Sequence, residues 1–180
     1  MENEVLTQLI KEADALYADG RIDAALDAYT AILEQDASVA WAHSRIGAIQ
    51  AQRENLDAAE QSLTRALELD PELPQARSNL GNIHYSRGQY EKAVECYQAA
   101  AQLDPTNPLY HENLHAAYKK LNRVADAVKA LKHSHKLVRE LSTQQTKAEV
   151  QNVKRKMGCV SVFVVLALLI SATTAVVSII

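Results

Sequence analysis

Residues 79–105 decide the fold: Asn79-Leu80-Gly81-Asn82 opens the stretch, Gly88-Gln89-Tyr90 interrupts it, and Ala93, Tyr97 and Ala100 lead to Leu103-Asp104-Pro105. Apolar residues return at helical spacing on both sides of the interruption, so Gly88 marks a turn between two helices. Asp104-Pro105 closes the unit, because proline cannot continue a helix and pushes the residue before it out of helical geometry. The stretch reads as one helical hairpin.

The same pattern extends in both directions with a period of 34. Residues 6–141 divide without gaps into blocks 6–39, 40–73, 74–107 and 108–141. The eighth place holds Ala13, Gly47, Gly81 and His115, and the twentieth holds Ala25, Ala59, Ala93 and Ala127. Small residues there let helices approach closely. Tyr29, Leu63, Tyr97 and Leu131 share the twenty-fourth place, and Ile32, Ala66, Ala100 and Ser134 the twenty-seventh, so a wide side chain sits beside a narrower one on each helix face. Asp19-Gly20-Arg21 repeats the turn of Arg87-Gly88-Gln89, and Asp70-Pro71 repeats the stop of Asp104-Pro105.

These residues and this spacing resemble the tetratricopeptide repeat family, with its Leu-Gly core, later Ala, aromatic and closing Pro. The resemblance covers about three quarters of the chain, and the departures (Ala37 and Arg139 at the Pro site, His115 at a small-residue site) fall in the end blocks, which pack on one side only. It implies an all-α fold: a right-handed superhelical solenoid of four helical hairpins, with a concave groove lined by the first helix of each hairpin. The groove positions it implies are Trp41, Arg45, Gln75, Ser78, Asn79, Asn82, Leu109, Glu112 and Asn113. Asn79 and Asn113 occupy one place in successive blocks, as in asparagine-lined family members that hold an extended peptide by its backbone. Trp41 is either an aromatic anchor at the groove's end or a packing residue against the first hairpin. The carboxylate clamp of some members is not matched: its places hold Ile10, Asp14, Arg45, Gln75 and Asn79, or, one block on, Ser44, Ala48, Asn79, Leu109 and Asn113, without the basic pair.

Residues 157–180 contain no charged side chain and follow Lys154-Arg155-Lys156. As a helix they reach about 33–36 Å against a hydrocarbon core of about 30 Å, and thirteen of them are Val, Ile, Leu or Phe. The expectation is a C-terminal transmembrane anchor, with the membrane-flanking Lys154, Arg155 and Lys156 holding the N-terminal portion in the cytoplasm. The acidic start Met1-Glu2-Asn3-Glu4 does not read as a signal peptide. A bacterial inner membrane fits best, with the endoplasmic reticulum as the alternative. Ala167, Ser171 and Ala175 form a small-residue face on which the span can meet a second copy in a homodimer.

Between repeats and anchor lies a basic juxtamembrane segment, 142–156, either helix or linker. No Gly or Pro occurs from Val124 to Met157, which favours helix, whereas Ser142-Thr143-Gln144-Gln145-Thr146 is a weak helix former. Residues 1–123 hold 11 basic and 19 acidic side chains, and residues 124–156 hold 8 and 3. An acidic body argues against nucleic acid, which requires a basic stripe. A basic segment gains attraction to an anionic leaflet.

Little points to catalysis. There is no phosphate loop, no nucleophile elbow and no distinguished carboxylate pair. His111 and His115 sit four apart without a third ligand, Cys96 reads as an apolar filler, and Cys159 is open to S-acylation at the mouth of the span. The expectation is no enzyme, no cofactor and no metal: a membrane-tethered adaptor that binds a protein or an extended peptide. The alternatives are a self-associating scaffold and an assembly or accessory factor of a membrane complex.

Overall fold

A computed structural model describes the backbone of residues 2–177 and the side chains of residues 5–156. The helices are α1 (Glu2–Ala18), α2 (Ile22–Gln35), α3 (Ala40–Gln52), α4 (Leu56–Leu69), α5 (Pro74–Ser86), α6 (Tyr90–Leu103), α7 (Pro108–Lys120) and α8 (Val124–Val177). α1 pairs with α2, α3 with α4 and α5 with α6 as hairpins, the start of α8 meets α7 through Ser134–Glu112 and His115–Ala127, and each first helix from α3 onward also touches its counterpart in the next hairpin. The chain divides into two units, residues 1–135 and 136–180.

One turn chemistry serves all four hairpins of the first unit. Gly20, Glu54, Gly88 and Asn122 stand 34 residues apart, and each has a positive φ, at 74°, 63°, 74° and 56°. The following N–H reaches back five residues to a carbonyl: Arg21 to Leu16, Asn55 to Gln50, Gln89 to His84 and Arg123 to Tyr118, at 2.8–3.0 Å. A left-handed residue after the last helical turn satisfies carbonyls that the helix leaves open. Glycine adopts it without a Cβ penalty, whereas Glu54 bears one.

The turns between hairpins are built by aspartate. The Asp36 carboxylate accepts from the Ser38 N–H at 2.8 Å, Asp70 from the Glu72 N–H at 2.9 Å, and Asp104 from the Thr106 N–H at 3.2 Å. The Ser38 hydroxyl, which donates to Asp36 at 2.6 Å, and then the Ser38 N–H hold the Asp36 carboxyl below its ordinary range. The block with Ala37 at the proline site thus closes in the same way as its neighbours. Where the next aspartate would fall stands Val138, and α8 runs on. The hydroxyls of Ser142–Thr146 are absorbed by that helix: Ser142 and Thr143 donate to the Arg139 carbonyl, and Thr146 to that of Ser142.

Three buried clusters form the core, and each straddles a block boundary. The first gathers Ala13, Ala25, Tyr29, Ile32, Ala42 and Ile49, the second Ala59, Leu63, Ala66, Ala76 and Ile83, and the third runs from Ala93 and Tyr97 to Ala127 and Ala130. A single hairpin cannot bury its own face, so the second helix of one block shares a core with the first helix of the next. Burying a side chain of the size of Leu63 or Ile49 contributes about 1.5–3 kcal/mol. The small-residue column is set by direct contact. A Cβ on Gly47 would stand 2.6 Å from Leu63, and one on Gly81 2.6 Å from the Tyr97 ring. His115 fits that column by turning its ring to the Ala127 carbonyl, 3.0 Å from Nδ1.

Among the described residues no helix is long and apolar enough to cross a membrane. The expected span, 157–180, lies outside the residues whose side chains are described, as does the Ala167, Ser171 and Ala175 face.

Candidate functional site

The first helices of three successive hairpins border a cleft of about 480 Å³. Tyr17 closes it from α1, Ala48, Ala51 and Gln52 line it from α3, Leu56 from the start of α4, and Asn79, Asn82, Ile83 and Ser86 from α5. Its lining mixes apolar Ala48, Ala51, Leu56 and Ile83 with the hydroxyls of Tyr17 and Ser86 and the amides of Gln52, Asn79 and Asn82. Amides offer donors and an acceptor together, the complement of a peptide backbone.

Asn79 and Asn82 are the expected groove residues that meet in this cleft. No hydrogen bond of the Asn79 side chain occurs among the described residues. The Asn82 oxygen is engaged, accepting from the Tyr97 hydroxyl at 2.8 Å. The Asn113 amide nitrogen lies 3.3 Å from the Ser78 hydroxyl and 3.5 Å from the Asn82 oxygen, which ties α7 to α5. Ser78 is buried. Glu112 accepts from the buried Ser134 hydroxyl at 3.0 Å, while Leu109 and Gln75 are exposed.

Trp41 and Arg45 form a separate cluster at the first hairpin. Trp41 meets Tyr29 edge-on, with ring centroids 5.3 Å apart, and takes the packing role. The Arg45 guanidinium lies 5.3 Å from the Tyr17 ring and 5.2 Å from Trp41, and 3.3 Å from the Asp14 carboxylate. Asp14 also accepts from the Tyr29 hydroxyl at 3.2 Å. Burial first, then the neighbouring Asp14 charge, pushes the Tyr29 hydroxyl well above its ordinary range. Arg45 therefore pairs its charge with Asp14 of its own chain at the partly exposed surface, and Tyr17 joins this cluster to the cleft.

Reading the sequence missed Tyr17, Gln52 and Ser86. The signal was available: Gln52 lies one helical turn beyond Ala48, and Ser86 one turn beyond Asn82. Extending the groove columns by four residues reaches both.

His111 stacks on His133, centroids 4.2 Å apart, and burial followed by that neighbour lowers its pKa from the ordinary 6.5. Among the described residues no three or more His, Cys, Asp or Glu gather as metal ligands. The Cys96 thiol is pushed up by burial, which disfavours the reactive thiolate.

Three tetratricopeptide repeat models match the sequence, over residues 10–74, 62–95 and 81–122. The chain belongs to the tetratricopeptide repeat family. Among solved structures, the crystal structure of MamA is 22% identical and superposes with a TM-score of 0.66, covering 77% of this chain and 81% of that one. A double mutant of MamA RS-1 is 23% identical, with a TM-score of 0.63 and coverage of 76% of each chain. A mutant O-GlcNAc transferase from Thermobaculum terrenum is 24% identical, with a TM-score of 0.63, covering 66% of this chain but 23% of that one. At these identities the likeness speaks to the fold alone. No curated protein sequence matches the chain. An all-helical repeat solenoid of this family suits protein binding or scaffolding.

Proposed function

We propose that this tetratricopeptide chain is a membrane-tethered adaptor, which holds a protein segment in the cleft between Tyr17, Gln52, Asn79 and Ser86 while residues 157–180 cross a bilayer. The observation that carries the binding half is the cleft's placement across three hairpins. An extended peptide laid along it meets Gln52 and Asn79 in turn, and their amides pair with its backbone without reading its side chains. The tether rests on the uncharged run after Lys154-Arg155-Lys156, which favours a cytoplasmic repeat body on a bacterial inner membrane, or on the endoplasmic reticulum. The reading assigns the chain no catalytic step, cofactor or metal.

Affinity capture from mild detergent tests the cleft. A partner kept by the wild type should be lost by Gln52→Ala with Asn79→Ala, with the melting temperature unchanged. Retention of the same partners by a folded variant removes the cleft from the proposal. Flotation with vesicles after alkaline extraction tests the tether independently.

A further inference from the structure

From Val138 to Lys156 every residue of α8 is exposed, including the apolar Val150 and Val153, 49% and 54% accessible. Thr143, Thr146, Val150 and Val153 follow one another at spacings of three, four and three. That is the seam of a coiled coil, with Thr143 and Val150 in the first core position of the seven-residue repeat and Thr146 and Val153 in the second. The side chains of Thr143, Thr146, Lys147, Val150 and Lys154 also bound a shallow furrow along this side of the helix. A furrow walled by one helix encloses no small molecule, but it matches the ridge of another helix.

The flanking charges choose the partner. Glu149 is the one acidic residue of 141–156, and in this register it precedes the core on one side while Lys147 and Lys154 follow it on the other. Within its own chain Glu149 receives a contact from Gln145 at 3.4 Å, and its neighbour four residues on is Val153, not a base. In a parallel pair the flanking residue of one helix faces the residue five places further along its partner. Glu149 then meets Lys154 of a second copy, and the symmetric contact repeats it. An antiparallel pair sets Glu149 against Glu149 and Lys147 against Lys154, so both contacts repel. We infer that the partner of this exposed face is a second copy of the same chain, docked in parallel and in register through Thr143, Thr146, Val150 and Val153, with reciprocal Glu149–Lys154 ion pairs.

Two heptads are a short seam, and the inference borrows from the tether reading the local concentration that common attachment to one bilayer supplies. A rival stripe, Val138, Leu141, Gln145 and Ala148, lies on another side of the helix and after Leu141 offers only the polar Gln145 and the small Ala148. The full chain with Cys96→Ala and Cys159→Ser, mixed with phosphatidylcholine vesicles, separates the readings by mild oxidation. Val150→Cys should cross-link severalfold more than Ala148→Cys. Glu149→Lys and Lys154→Glu, each added alone to Val150→Cys, should cut the cross-linked fraction severalfold, and the two together should restore it. Equal cross-linking at Ala148→Cys, or no restoration by the double reversal, overturns the inference. A chain that floats with vesicles without this pattern sinks the pairing and leaves the tether standing. The pattern in a chain that does not float upholds the pairing and sinks the tether.

Discussion

Two stretches of helix, α6 and residues 138–156 of α8, have been given opposite treatments. In α6, Ala93, Val94, Tyr97 and Ala100 are buried, Asp104 turns the chain at its end, and each neighbour is a hairpin of the same kind. From 138 to 156 no residue is buried, no turn residue follows, and the charge is basic where that of the body is acidic. Identical local geometry therefore rests on different supports. α6 draws its stability from a shared core, and residues 138–156 draw theirs from intrahelical bonds and from whatever docks on them.

Truncating a large side chain in each place gives the widest separation. Tyr97→Ala empties a nearly closed site beside Gly81 and removes the 2.8 Å hydrogen bond to the Asn82 oxygen, and should cost about 3–5 kcal/mol in urea unfolding. Val150→Ala in the dilute monomer should stay within about 0.5 kcal/mol. A comparable loss at both would mean that the exposed helix is packed within its own chain.

The next contrast is how each helix ends. Val138→Asp with Arg139→Pro installs at the fourth block the stop used at Asp70-Pro71 and Asp104-Pro105. Proline in the interior of α8 removes a hydrogen bond and clashes with the preceding turn, a cost of about 3 kcal/mol to the continuous helix. The variant should lose helical circular dichroism while the thermal transition of the repeats persists. Unchanged ellipticity would show that residues beyond 139 are not helical in the wild type to begin with.

Much of this was legible in the sequence because repetition multiplies weak signals: Ala25, Ala59, Ala93 and Ala127 return at one place, and all are buried. The turns were half legible. Gly20 and Gly88 announce a left-handed residue, but Glu54 and Asn122 do the same work without a glycine to reveal it. Proline drew the eye at the closing turns, whereas the recurring device is the carboxylate of Asp36, Asp70 and Asp104, which works with Ala37 as well. The cleft was reached in part. Asn79 was visible by its repetition at Asn113 and Asn82 through the family resemblance, but Tyr17, Gln52 and Ser86 sit near helix ends, and which residues border an opening depends on the offset between stacked helices rather than on any one helix's periodicity.

Glu54 supplies a smaller test, within the repeats. Glycine at its φ of 63° relieves the Cβ penalty and restores the chemistry of Gly20 and Gly88, so Glu54→Gly should raise stability by about 0.5–1 kcal/mol. The same change at Glu95, exposed inside α6, should lower it by about 0.5–1 kcal/mol, because glycine there frees the unfolded chain. A loss at both sites would show that Glu54 contributes something beyond its backbone.

The smallest expected effect concerns protons, and it again sets packed helix against bare helix. His111 lies on α7 against His133, and its folded pKa is below the ordinary 6.5, first through burial and then through that neighbour. Above about pH 6.5 both folded and unfolded chains carry it neutral, and its contribution to stability is fully present. As pH falls below that value the unfolded chain takes up the proton first, so stability drops until the folded group titrates too. Urea unfolding of the wild type between pH 7.5 and 5 should therefore show a decline that His111→Gln makes shallower. Residues 138–156 contain no histidine, so the Val150→Ala variant should show the same decline as the wild type. An identical pH slope for the wild type and His111→Gln would remove the stacked pair as the source of the decline.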